Sequence, residues 1–230
     1  MARVTVLGAS GRMGTALIRL IAAGGEHQLV GALGEPGDRS LGRDAGQVAG
    51  LDPLGVLITD DLAAALQGSG GAPGHACHVA IDFTAPVVTE RHALACAEGG
   101  HALVVGTTGL GVAQLAALQT AARRTPVLYA RNMSLGVTVL TELARQAVTL
   151  LGPGFDVEIS EAHHRQKKDS PSGTALQLGE AVAAARGQQL AEVAVHGRSG
   201  LATAGRTEGT IGFSSVRGGA IVGDHTVLLA

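Results

Sequence analysis

Large rings are nearly missing from this 230-residue sequence, which has no Trp, one Tyr and three Phe. A core must therefore come from Ala, Val, Leu and Ile. Charge is scarce as well, at 16% Asp, Glu, Lys and Arg with a formal net charge of −2, while 46% of residues are hydrophobic. That balance excludes an intrinsically disordered chain. It also offers no concentrated positive field for nucleic acid or an anionic membrane. Cysteine is limited to Cys77 and Cys96, too few for a disulfide framework. No basic segment followed by an apolar one opens the chain, because residues 3–7 run straight into Gly8. Residues 62–81 lack Asp, Glu, Lys and Arg, yet Gln67, Gly68, Gly70, Gly71 and Pro73 make them a helix end plus a loop rather than a membrane span. The expectation is a soluble, cytoplasmic protein.

Glycine is abundant, at 35 residues, without any short repeat. Tight turns joining small aliphatic elements suit a layered α/β architecture. Val/Leu/Ile runs at 3–7, 28–33, 56–59, 78–83, 102–105 and 126–130 are expected strands. Ala/Leu-rich stretches at 12–23, 87–98 and 112–123 are expected helices, and 34–55 is expected to be an extended loop. Such alternation argues for βαβ units and a parallel sheet. After residue 130 the rhythm changes. A helix over 135–151 ends at Gly152-Pro153-Gly154, a strand follows at 156–161, and a second helix covers 173–186. Extended segments at 210–216 and 220–229 complete a separate α+β domain with an open, mixed sheet. The expected domains are 1–130 and 131–230.

Two segments carry chemistry. The first, Gly8-Ala9-Ser10-Gly11-Arg12-Met13-Gly14, follows a strand and opens a helix, the context a dinucleotide fingerprint requires. The helix start offers N–H groups and a positive dipole end to phosphates. Beyond the second strand, Glu35 could hold ribose hydroxyls, favouring NAD, whereas Arg39 could meet a 2′-phosphate. Turns at Asp82-Phe83-Thr84 and Gly106-Thr107-Thr108-Gly109 stand at later strand ends, where ligands bind in doubly wound sheets.

The second segment runs from Glu158 to Ala175. It gathers His163, His164, Arg165, Lys167 and Lys168 within six positions, just before a helix that Ser172 can cap. Free N–H groups at Gly173 and Thr174, with a lysine and histidines nearby, suit a small dicarboxylate or phosphate. A metal held by His163, His164, His196 or His225 lacks the carboxylates or thiolates in recognisable spacing that zinc sites use, and no metal is expected. His75-Ala76-Cys77-His78 has no partner cluster.

Together these residues resemble the dihydrodipicolinate reductase family of bacterial lysine and diaminopimelate biosynthesis. The E-x-H-H-x-x-K-x-D-x-P-S-G-T-A string is its most specific carrier. Asn132–Val137 as a run, Gly209 to Phe213, Arg217-Gly218-Gly219 and Ile221 to Thr226 match too. The resemblance implies a Rossmann-type doubly wound dinucleotide domain at 1–130 and a substrate and oligomerisation domain at 131–230. It implies a homotetramer using NADH or NADPH. Cofactor contacts would fall on Gly8, Ala9, Ser10, Gly11, Arg12, Met13, Gly34, Glu35, Gly106, Thr107, Thr108, Ala130, Arg131, Asn132 and Met133. His163 and Lys167 would be catalytic, while His164, Gly173 and Thr174 would contact substrate. The family's second strand ends in an acidic residue often followed by Arg, whereas here the pair is Gly34-Glu35, which leaves NADH against NADPH open. Family members also continue past the last residue, Ala230, with a strand and a helix, so the alternative is a truncated, non-catalytic nucleotide-binding homologue.

Overall fold

A computed structural model of the chain describes residues 1–68, 78–201 and 204–230. It divides into two compact units, Met1–Ala130 and Arg131–Ala230.

In the first unit, strands β1 (Ala2–Leu7), β2 (His27–Leu33), β3 (Ile58–Thr59), β4 (His78–Asp82), β5 (Ala102–Val105) and β6 (Val127–Tyr129) form one sheet. Their order is β3-β2-β1-β4-β5-β6 and every pairing is parallel. Helices α1 (Arg12–Gly24) and α2 (Ala45–Val48) cover one face, and α3 (Leu62–Gln67), α4 (Pro86–Gly99) and α5 (Val112–Ala121) the other. The alternation of strand side chains sorts the core. Val4 and Val6 pack with Ile18 and Ile21 of α1, while Leu7 packs with Leu62, Leu66 and Ala93 across the sheet. Strand order reverses between β1 and β4, so their carboxyl ends open a crevice where doubly wound sheets take ligands.

The second unit contains α6 (Leu135–Leu151), β7 (Val157–His163), α7 (Gly173–Ala185), α8 (Leu190–Val193), β8 (Ala194–His196), β9 (Ile211–Arg217) and β10 (Asp224–Leu229). Its sheet order is β10-β7-β9-β8, with β10 antiparallel to β7 and the other pairs parallel. Val157, Ile159, Ile211 and Phe213 face a core completed by Ala144 and Val148 of α6 and Leu178 and Val182 of α7. The opposite sheet face carries Ser160, Ser214, Val216 and Leu228, all exposed.

The expected segments correspond to elements with a few differences. The stretch 34–55 is not loop throughout, because the Asp44 carboxylate accepts N–H bonds from Gly46, Gln47, Leu54 and Gly55 and so nucleates α2. At 62–67 a complete short helix, α3, stands where only a helix end was expected, capped by Asp61. The last strand begins at Asp224 rather than 220, since Gly218, Gly219 and Gly223 turn the chain first. Among the described residues no helix is long and apolar enough to cross a membrane.

Candidate active site

At the crevice of the first unit, the turn after β1 is fixed by main-chain bonds: Gly8 N–H and Ala9 N–H both donate to the Leu33 carbonyl, at 2.9 and 2.8 Å. Gly8 has φ +82°, a conformation side-chain-bearing residues rarely adopt. A Cβ on Gly14 would lie 2.1 Å from the Gly8 carbonyl oxygen, so only glycine lets α1 start this close to the turn. Gly11 occupies the N-cap of α1 without a capping side chain. The first N–H groups of α1 thus have no capping side chain, and Gly11, Arg12 and Met13 at its start are exposed. This bare, glycine-walled helix start fits a dinucleotide pyrophosphate.

A cavity of about 360 Å³ opens beside the turn, bordered by Gly8, Ser10, Gly34, Phe83 and Thr84. Gly34 is buried and donates its N–H to Thr59, whereas Glu35 is exposed. Asp38 brings a carboxylate into the same wall and accepts the Ser10 hydroxyl at 2.5 Å.

The next two turns are tied by one buried carboxylate. Asp82 Oδ1 accepts from the Thr84 N–H at 3.0 Å and from the hydroxyls of Thr84 and Thr107 at 2.6 and 3.1 Å. Its Oδ2 meets His92 Nδ1 of α4 at 2.8 Å. Both side chains are almost fully buried, so each compensates the other's loss of hydration. Gly106 has no room for a side chain, because a Cβ would stand 2.1 Å from the Phe83 ring. Thr107 is buried, Thr108 exposed, and Ala130 closes β6 by donating to the Val105 carbonyl.

In the second unit, Arg131 pairs with Glu180 of α7, and Met133 is exposed. Asn132 Nδ2 donates to Thr174 Oγ1 at 2.9 Å, joining two residues expected in different roles. Ser172 caps α7 by accepting from the Ala175 N–H at 3.1 Å, as a serine before an Ala/Leu run should. A Cβ on Gly173 would meet nothing within 4 Å, so the chain is open beside the first residue of α7.

Glu161, 3% exposed, organises the remainder. It accepts two bonds of 2.7 Å from Arg217 and faces His163 Nδ1 at 2.6 Å and the Ser172 N–H at 3.2 Å. Burial pushes its carboxyl up. Hydrogen bonds from Arg217, Ser215 and His163, with the Arg217 charge, outweigh that and hold it at about 2. An ionised acceptor at Nδ1 fixes the His163 ring and leaves Nε2 as its second nitrogen. His225 meets His163 edge-on, 5.1 Å between ring centres, and shares a 2.9 Å bond with the Ser172 hydroxyl. Burial, then the neighbouring His163, lowers the His225 pKa. Lys167, half-buried, pairs with Asp169 at 2.9 Å, and His164 is half-buried in the same loop.

His196 stacks on Phe213 at 5.4 Å and is accounted for by packing. Among the described residues no group of three or more His, Cys, Asp or Glu side chains is arranged to hold a metal. Of the His75–His78 string, His75 and Cys77 lie outside the described residues. Cys96 is buried in the first unit's core, which pushes its thiol up to about 12. Asp38, His92 and the Arg217–Glu161 pair were not among the expected site residues. Arg217 sits opposite His163 in the β7–β9 register, a pairing no local pattern announces.

Fold and site define a class: an oxidoreductase-type chain with a dinucleotide-binding sheet followed by a smaller mixed-sheet unit bearing a His–Lys cluster. Residues 2–133 match the family described as dihydrodipicolinate reductase, N-terminus, and residues 136–230 match its C-terminus. The chain belongs to the dihydrodipicolinate reductase family. It is 47% identical to a 4-hydroxy-tetrahydrodipicolinate reductase of Acinetobacter baumannii, covering 98% of this chain and 79% of that protein. It is 49% identical to one of Thiobacillus denitrificans, covering 99% and 82%. In fold it is similar to a dipicolinate-bound dihydrodipicolinate reductase from Paenisporosarcina sp. TG-14, with TM-score 0.71 and 23% identity over 100% of this chain and 83% of that one.

Proposed function

We propose that this chain is a 4-hydroxy-tetrahydrodipicolinate reductase, forming tetrahydrodipicolinate at the expense of NADH or NADPH in cytoplasmic lysine and diaminopimelate biosynthesis. The observation that carries the reading is the 47% identity to such a reductase across 98% of the chain. The local geometry agrees with it. Gly8, Ala9, Ser10, Gly11, Arg12 and Met13 would cradle the pyrophosphate on main-chain donors, Gly34 and Glu35 would flank the adenosine, and Gly106, Thr107 and Thr108 would border the nicotinamide. Ala130, Arg131, Asn132 and Met133 would complete the cofactor contacts.

Loss of the C4 hydroxyl of 4-hydroxy-tetrahydrodipicolinate as water leaves a cyclic unsaturated imine, to whose C4 the reduced nicotinamide, when bound, would supply a hydride. The electron pair displaced from the double bond then needs a proton. His163, whose Nδ1 is committed to Glu161, would present that proton from Nε2, and Lys167 would supply or replenish it. Glu161 stabilises the imidazolium without itself titrating near neutrality. The open first turn of α7, with Gly173 N–H, Thr174 and His164, would hold a substrate carboxylate and orient the ring.

The open sheet face with Val216 and Leu228, and the exposed β10 edge, favour assembly of copies through the second unit, in line with a homotetramer. The deciding experiment mixes the purified chain with reduced dinucleotide and freshly generated 4-hydroxy-tetrahydrodipicolinate and follows loss of reduced-nicotinamide absorbance. Turnover that depends on both reagents is the expected result. A folded protein that binds dinucleotide but never oxidises it in the presence of substrate overturns the reading.

A further inference from the structure

The cavity beside the β1 turn has a charge pattern that the choice between the two dinucleotides can feel. Its lining residues include three acids, Glu35, Asp38 and Asp60, and one arginine, Arg91. Arg39, which sequence leaves as a partner for a 2′-phosphate, is exposed and stands outside that lining. Asp38 is the carboxylate built into place. Its Oδ1 accepts both the N–H and the hydroxyl of Ser40, at 2.8 and 2.7 Å. Its Oδ2 accepts the hydroxyl of Ser10, a residue of the glycine turn itself, at 2.5 Å. These bonds, Ser10 foremost, hold the carboxyl below the usual range, so it is ionised at neutral pH.

We propose that Asp38, clamped to the pyrophosphate turn through Ser10, makes this chain select NADH over NADPH. The inference rests on the reading that the first unit binds a reduced nicotinamide dinucleotide. A carboxylate oxygen has two acceptor positions, and Oδ2 spends one on Ser10. The other can accept a hydrogen bond from a ribose 2′-hydroxyl, the contact by which acidic groups beyond a second strand recognise NADH. A 2′-phosphate is mostly without such a proton at neutral pH and brings about −1.5 to −2 charge. It would face Asp38, Glu35 and Asp60, with Arg91 as the opposing charge. Glu35 sits nearer the end of β2 but is exposed and, unlike Asp38, is not tied to the turn through Ser10. Solvent weakens its discrimination.

The test is binding rather than turnover. Dissociation constants for NADH and NADPH are measured by fluorescence titration on the full chain and on Asp38→Asn. The wild type should bind NADH at least ~10-fold more tightly, the scale expected when like charges meet in a partly dry cavity. Asp38→Asn should close most of that gap by strengthening NADPH binding. Wild-type NADPH binding as tight as NADH overturns the proposal, as does a ratio that Asp38→Asn leaves unchanged. Should that variant misfold, adenosine 5′-monophosphate and adenosine 2′,5′-bisphosphate competing with NADH on the wild type give the same contrast. The monophosphate should compete better, and the opposite order overturns the proposal. Binding of neither dinucleotide would instead sink the cofactor reading beneath it.

Discussion

The two units place opposite materials at their sites. In the first, main-chain N–H groups, glycine turns and the hydroxyls of Thr84 and Thr107 do the shaping, with a buried Asp82–His92 hydrogen bond behind the turns. In the second, a buried carboxylate with an arginine and a histidine on it, Glu161–Arg217–His163, stands at the site itself. The difference follows from the proposed tasks. A pyrophosphate needs donors that never change protonation, which backbone supplies, whereas moving a proton needs side chains whose charge can change. Damage to the first unit should therefore show in binding, and damage to the second in turnover and in its response to acid.

The sharpest way to break this contrast is at His163 and Lys167. His163→Gln and Lys167→Ala should each lower kcat by roughly 10²–10⁴-fold, the range for loss of a general acid. NADH affinity should stay within about twofold, because neither side chain belongs to the cradle. Steady-state kinetics beside fluorescence titration decides this, and parallel loss of cofactor affinity would erase the proposed division. The converse is Gly14→Ala. Its Cβ would sit 2.1 Å from a backbone oxygen that cannot rotate away, so the turn or the helix must move. Overpacking of this kind costs about 1–3 kcal/mol. Dinucleotide affinity should fall at least tenfold, measured by titration, with the Glu161 network untouched.

Acid should separate the units next. Glu161 falls from an ordinary 4.5 to about 2 in the folded chain. A depressed carboxyl contributes stability that is complete above the unfolded value and disappears as pH drops toward the folded one. The second unit should thus lose up to ~3 kcal/mol between about pH 4.5 and pH 2. Glu161→Gln should remove that acid dependence while lowering stability at neutral pH, since Arg217 would lose its partner in a buried setting. Denaturant melts across this window, read by far-ultraviolet circular dichroism, would show whether acid sensitivity vanishes in the variant.

How much of this was legible in the sequence varies with the range of the interaction. Helix α6 is bounded at Leu135 and Leu151 because Ser134 caps it and Gly152-Pro153 stops it, both local signals. The glycine turn and the start of α7 at Gly173 are equally local. Asp44 and Asp61 also announced their short helices locally, yet a charge-poor, glycine-rich context hid four- and six-residue elements. Glu161 and Arg217 are 56 residues apart and meet only because β9 pairs with β7 in parallel. His92, which shares the buried face of α4 with Thr89, Ala93 and Cys96, gives no hint of Asp82 until β4 and α4 pack together. Local chemistry thus pointed to the candidate sites, while the partners hydrogen-bonded within them came from tertiary pairing.

Glu142 sharpens the comparison from its weakest end. It is held at about 2, as low as Glu161, by the hydrogen bond from Arg145 one turn along α6. The likeness ends there, because both side chains are half-exposed to water. An exposed pair trades its attraction against side-chain entropy and screening, and most such pairs contribute little. Glu142→Ala should accordingly leave the melting temperature and the acid profile of the second unit indistinguishable from wild type by circular dichroism. A loss comparable to that of Glu161→Gln would mean that a lowered carboxyl alone carries stability. If the melts coincide instead, burial beneath Arg217 and His163, rather than ionisation as such, is what ties the second unit's stability to its chemistry.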